Sequence, residues 1–139
     1  MDHIVIDDYK QTKKRWKLYG DHAVVREEDK HILINQVKIL IYDVKAHPEL
    51  KTQVEVVADQ GVVESEKELV TLIGNVISKQ DPDLSLYTQK AIYDYRKDIL
   101  YVPENVLIQI EQSTLEGENM TYVLKNRMIT LKKASFSSY

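Results

Sequence analysis

The sequence predicts an all-β protein: an elongated, twisted antiparallel sheet built from repeated strand pairs and open at both ends. Three observations predict it. A spacing of apolar anchors recurs four times, as Leu18, Val25, Ile32, Ile34, as Val56, Val63, Val70, Leu72, as Leu86, Tyr93, Leu100, Val102, and as Leu115, Tyr122, Ile129, Leu131. The dipeptide at the centre of each set is polar: Glu28-Asp29, Glu66-Lys67, Arg96-Lys97 and Lys125-Asn126. Apolar residues also alternate along the returning arm, as in Val70, Leu72, Gly74, Val76, which is the period of a strand.

Taken in chain order, each unit reads as strand, bulge, strand, turn, strand. Residues seven apart, such as Val63 and Val70, face each other across a short loop. The interval from Val56 to Val63 is odd, so the inward face must change parity, and a bulge near the small residues Ala58 and Gly61 supplies the change. A break follows near Gly74-Asn75 and again near Pro103-Glu104-Asn105, where proline removes a ladder donor. Small positions keep the register as well: Gly20, Ala58, Thr88 and Gly117 align, as do Ala23, Gly61, Ala91 and Met120. Units of this kind cannot bury an apolar side alone, so they stack into one curved sheet with two free edges.

Two other readings use the same residues. Ser65 followed by Glu68, ahead of Leu69, Val70, Leu72 and Ile73, has the form of a helical capping box. The fourfold repeat outweighs it. A seven-residue period also suggests a coiled coil, but the positions where a heptad needs apolar residues hold Asp59, Gln60, Glu66, Lys67, Gln89, Lys90, Arg96 and Lys97.

With 139 residues, 43% of them apolar, the chain suits one domain. Its net charge of −3 offers no basic excess for binding a phosphate backbone, which argues against nucleic acid. The absence of cysteine excludes disulfides and thiolate chemistry. No stretch approaches the roughly 20 apolar residues of a spanning helix. His3, His22, His31 and His47 have no ligand spacing backed by a carboxylate, so they read as surface or loop histidines and no metal is expected. Asp7-Asp8 and Glu27-Glu28-Asp29 read as solvated charge rather than a catalytic pair, and no phosphate loop or nucleophile elbow is present. Neither an enzyme nor a cofactor is expected.

The stretches "VVADQGVVESEKELVTLIGNVI", "LYTQKAIYDYRKDILYVPENVLI" and "LEGENMTYVLKNRMITL", with Trp16, Leu18, Gly20, Ala23 and "LINQVKILIYD" before them, resemble the lipopolysaccharide export family LptC, within the OstA/LptA-like β-jellyrolls. The resemblance implies an N-terminal segment at 1–15 after a membrane anchor, a jellyroll at 16–134 and a tail at 135–139. It also implies a periplasmic domain tethered to the inner membrane. There it receives lipopolysaccharide from an inner-membrane ABC transporter at its N-terminal end and passes it to an LptA-like protein at its C-terminal edge. Such a carrier answers a physical cost, since exposing an acyl chain to water costs about 0.8 kcal/mol per CH₂.

The repeat points Leu18, Val25, Ile32, Ile34, Val37, Ile39, Val56, Val63, Val70, Leu72, Val76, Leu86, Tyr93, Leu100, Val102, Val106, Ile108, Tyr122, Ile129 and Leu131 inward. With the resemblance these become the expected lipid-lining residues; without it they are an ordinary core. Tyr93 and Tyr122 share one position and suit an acyl-to-sugar boundary. Met120, Tyr122, Leu124, Met128 and Thr130 are the expected partner edge, and free edges also admit a homodimer. Lys13, Lys14, Arg15 and Lys17 could meet anionic headgroups. The alternatives are a soluble LptA-like bridge and a repeat-sheet interaction module with a closed core.

Overall fold

The structure is a computed structural model and describes residues 2–43, 51–80 and 83–138. Among the described residues, nine strands form one antiparallel sheet whose spatial order is the chain order. They are β1 (Asp2–Lys10), β2 (Lys13–Arg26), β3 (His31–Tyr42), β4 (Thr52–Glu64), β5 (Leu69–Gln80), β6 (Leu84–Asp94), β7 (Ile99–Ile110), β8 (Ser113–Val123) and β9 (Met128–Ser138). The four facing pairs expected from the repeat are all present: Val25 with Ile32, Val63 with Val70, Tyr93 with Leu100, and Tyr122 with Ile129.

The predicted dipeptides lie at the centres of the four turns, but each loop has four residues rather than two. The last paired residues are Arg26 and His31, Glu64 and Leu69, Asp94 and Ile99, and Val123 and Met128. Each loop closes on a residue of positive φ: Lys30 at 57°, Glu68 at 55°, Asp98 at 60° and Arg127 at 56°. That conformation costs roughly 1–2 kcal/mol for a residue with a Cβ. Side chains in the loops offset it. Asp94 accepts from the Arg96 and Lys97 amides, both at 3.1 Å, and Asn126 accepts from the Met128 amide at 3.1 Å. The capping-box residues form only such a turn, with the Glu68 amide donating to the Ser65 carbonyl at 3.3 Å.

A row of irregularities crosses the middle of the sheet. In β4 the inward face passes from Ala58 to Gly61, with Asp59 and Gln60 both exposed, at the predicted place. The same three-residue step occurs from Gly20 to Ala23, Ile34 to Val37, Thr88 to Ala91 and Gly117 to Met120. Registers shift beside it, between Val57 and Gln60, Ile73 and Val76, and Val102 and Asn105. Gln36, Asn75, Asn119 and Lys133 adopt positive φ along the line, and Gly74 does so at 84°. Such bulges bend strands and increase twist. In β5 and β7 the alternation runs through the line, and Pro103 sits there at little cost to the ladder.

The sheet folds over along this line into two layers. The first holds β1, the opening halves of β2, β4, β6 and β8, and the closing halves of β3, β5, β7 and β9. The second holds the remaining halves and the four turns. Contacts between layers join residues far apart in sequence. Arg15 Nη1 donates to the Tyr95 carbonyl at 3.3 Å, the Trp16 and Tyr95 rings lie edge to face at 5.3 Å, and Gln53 Nε2 donates to the Leu124 carbonyl at 2.6 Å. Between them lies the apolar core, whose centre includes Ile39, Val56, Val70, Leu72 and Ile108.

The sheet reaches past both expected domain limits. Segment 1–15 contains β1, whose Ile4 is buried, and β9 runs through Ser138. β1 lies outside the fourfold template and the template ends at Leu131 within β9, so the repeat alone finds neither β1 nor the last residues of β9.

Two glycines are required by the packing. A Cβ on Gly20 would overlap Ile34 Cγ2, and one on Gly61 would lie 2.9 Å from Val37 Cγ2. Gly20→Ala should therefore destabilise the fold by about 1–3 kcal/mol in urea unfolding. Adding Ile34→Ala, which removes the opposed methyl, should cost less than the two single losses together. Simple additivity would mean that the bend is not set by this contact.

Candidate functional site

The inward side chains define a trough between the layers. Of the residues expected to line it, all but four are buried; Ile32, Ile129 and Leu131 are partly buried against the core. Val25 is the exception. It faces inward, opposite Ile32, yet is 58% exposed. The reason is the offset between layers. First-layer residues 15, 16 and 53 rest on residues 95 and 124, so the earliest part of the second layer has no first-layer strand above it among the described residues. The same offset uncovers the far end, where Phe136 pairs with Leu115 on the inner face and is 65% exposed. The trough thus has an apolar mouth at each end and a middle packed shut.

A third opening lies along the side opposite the fold line, where the layers meet only through side chains. It is a cleft of 320 Å³ lined by Lys10, Gln11, Lys13, Arg15 and Tyr42 of the first layer and by Tyr93, Tyr95, Arg96, Asp98 and Lys125 of the second. Arg15 is its latch. Nε donates to Asp8 Oδ2 at 2.6 Å, Nη2 to Asp8 Oδ1 at 3.3 Å, and the guanidinium carbon sits 5.0 Å from the Tyr95 ring centre. Glu68 Oε2 lies 3.6 Å from Nη1. The four cations Lys13, Lys14, Arg15 and Lys17 do not act as one group, because strand alternation sets Lys14 apart from the others. Lys13 and Arg15 line the cleft, Lys14 pairs with Asp7 at 3.3 Å, and Lys17 lies over the Tyr19 ring. Asp8, expected to be solvated, is held in the Arg15 pair.

Tyr93 and Tyr122 are buried, with their hydroxyls donating to Asp98 at 3.4 Å and to Gln80 respectively. Burial pushes the Tyr95 phenol up to about 12, helped by Asp8 and Glu68 and opposed by Arg15. Burial also raises Tyr93 well above its ordinary value, and raises the Asp98 carboxyl against the pull of Lys125 and Arg15.

The expected partner edge is corrected in part. Met120, Tyr122 and Leu124 are buried under the core and β8 is covered by β9, so they are not at an edge. Only Met128 and Thr130 lie on β9, which has a neighbour on one side alone. Among the histidines, His3 and His22 are exposed, and His31 is half-buried between Asp29 and Glu64, each at 3.4 Å. His47 lies outside the described residues. No group of ligands able to hold a metal occurs among the described residues, nor any helix long and apolar enough to cross a membrane.

One open antiparallel sheet folded on itself into two layers defines the class of the fold, an all-β jellyroll. The chain belongs to the family described as lipopolysaccharide-assembly, LptC-related, which it matches over residues 1–139. Its fold is similar to LptH of Pseudomonas aeruginosa, described as the LptA-homologous periplasmic component of the lipopolysaccharide transport device. That likeness has a TM-score of 0.69 at 13% identity and covers 89% of this chain and 94% of that one. No curated protein sequence matches the chain. Family membership gives the chain a role in lipopolysaccharide transport in the periplasm.

The raised tyrosines set a pH dependence. A phenol that ionises later in the folded state contributes stability that is fully present below the unfolded value near 10 and is lost as pH rises through the folded value. The urea midpoint should therefore hold up to about pH 10 and fall between about 10 and 12, with Tyr95→Phe flattening the fall. An unchanged slope in that variant would remove Tyr95 from the linkage.

Proposed function

We propose that this chain is a lipopolysaccharide-binding relay. It takes lipopolysaccharide from an inner-membrane ABC transporter at its N-terminal end, held near that membrane by a tether, and passes it to an LptA-like protein at the β9 edge. The observation that carries this reading is the pair of apolar mouths at opposite ends of one trough, each with an inward side chain left open. Acyl chains that move from Val25 toward Phe136 stay out of water for most of the path. Because the side chains of the middle are buried against one another, passage requires the layers to part, and the cleft is where they can. There only side chains join them, while the fold line opposite is continuous backbone.

The two edges give the relay its connections. Among the described residues β1 and β9 each have a neighbouring strand on one side alone, and an edge of this kind accepts a strand from another chain. A second copy of the chain could use the same edges. The packed middle favours the competing reading, an interaction module with a closed core, and lipid capture separates the two.

Val24 and Val25 make a matched pair, because they are similarly exposed, at 51% and 58%, and face opposite sides of β2. A photo-crosslinking residue at Val25 should capture lipopolysaccharide and one at Val24 should capture far less. Equal capture would mean that exposure and not the inner face selects lipid, and capture at neither would favour the interaction module.

Thr130→Pro, at a residue of β9 paired to Thr121, should reduce co-purification with an LptA-like partner while capture at Val25 persists. Undiminished co-purification from a folded variant would move the bridge to β1.

A further inference from the structure

The lateral cleft carries more charge of one sign than its surroundings require. In a chain of net charge −3, its walls bring together Lys10, Lys13, Arg15 and Arg96 against one carboxylate, Asp98, beside Lys125, which has a partner of its own. Arg15 is compensated by Asp8 and Glu68, and Arg96 only reaches Glu68 at 4.0 Å. Lys10 and Lys13 are direct partners across the β1–β2 hairpin. Like charges placed opposite each other destabilise a hairpin unless an anion lies between them. A larger groove on the outer face shows no such excess, since Glu116 and Glu118 there oppose a single Lys133.

We propose that this cleft is a phosphate subsite, which takes the phosphomonoester of an acylated glucosamine headgroup whose chains occupy the trough. The proposal rests on the relay reading and adds the chemistry by which the headgroup is held. Geometry places the subsite at the boundary such an amphiphile needs, because the cleft opens between the layers, with the packed interior behind Tyr93 and Tyr95 and solvent in front of Lys10 and Lys13. Lysine and arginine donors there form charge-assisted hydrogen bonds to phosphate oxygens. The donors come from both layers, so a bound phosphate also replaces cross-layer contacts that are lost when the layers part.

The test compares three probes on the full chain: lipid A bearing its phosphates, the same lipid enzymatically dephosphorylated, and glucosamine 1-phosphate, which has no chains. Equilibrium binding is measured for wild type and for a Lys10→Gln, Lys13→Gln, Arg96→Gln variant, all three sites being exposed, with crosslinking at Val25 as the readout for chains in the trough. Wild type should bind the phosphorylated lipid at least about tenfold more tightly than the dephosphorylated one, and the variant should lose that preference while binding the dephosphorylated lipid as before. Equal affinity of wild type for both lipids, with capture at Val25 retained, would overturn the subsite and leave the relay standing. Glucosamine 1-phosphate bound as tightly as the phosphorylated lipid would make the cleft a free-phosphate site instead. Capture of neither lipid at Val25 would overturn the relay and the subsite together.

Discussion

A nine-stranded sheet with one apolar face must hide that face, and this chain has no helix among its described residues to cover it. The sheet covers itself, and the row of bulges makes this possible. Where Ala58 gives way to Gly61, and Ile34 to Val37, two successive residues turn outward and the strand bends. Without that step, the residues on one side of the line would face solvent. Gly20 and Gly61 stand on the line because a β-carbon there would strike the side chain on the neighbouring strand. Packing, the mouths and the cleft all follow from where the sheet folds.

The fold also divides the forces unevenly. Along the bend the two layers share continuous backbone, and along the open side they share Arg15, Trp16, Tyr95, Gln53 and the Tyr122 hydroxyl. Backbone ladders open at the cost of many hydrogen bonds, whereas a few side-chain contacts are worth about 1 kcal/mol each. A trough that must admit chains therefore has a hinge and a rim already distinguished by energy. The burial that raises Tyr93 and Tyr95 and the charges that hold Arg15 lie on that rim, so the groups most perturbed electrostatically are also those nearest the opening.

Much of this was legible in the sequence. Strand period, the facing pairs seven apart and the polar turn centres are local features, and each is carried by residues close together in the chain. The parity change between Ala58 and Gly61 was readable for the same reason. The position of each residue along the trough was not. Val25 and Val63 occupy one place in the repeat, yet one is open and the other buried, because cover depends on an offset that joins Arg15 to Tyr95 and Gln53 to Leu124. The cleft was hidden by the same distance, as its cations come from a hairpin near residue 11 and from turns near 96 and 125. Phe136 was missed because the template ends at Leu131.

Opening of the rim under lipid is the claim on which the transport account turns. The chain contains no cysteine, so spin labels can be placed at Thr12 and Lys97, exposed residues in the turns on either side of the cleft, and their separation measured with and without lipopolysaccharide. The account predicts that saturating lipopolysaccharide shifts the distance distribution to longer values. An unchanged distribution with lipopolysaccharide demonstrably bound would contradict it, because the chains would then lie outside the folded sheet.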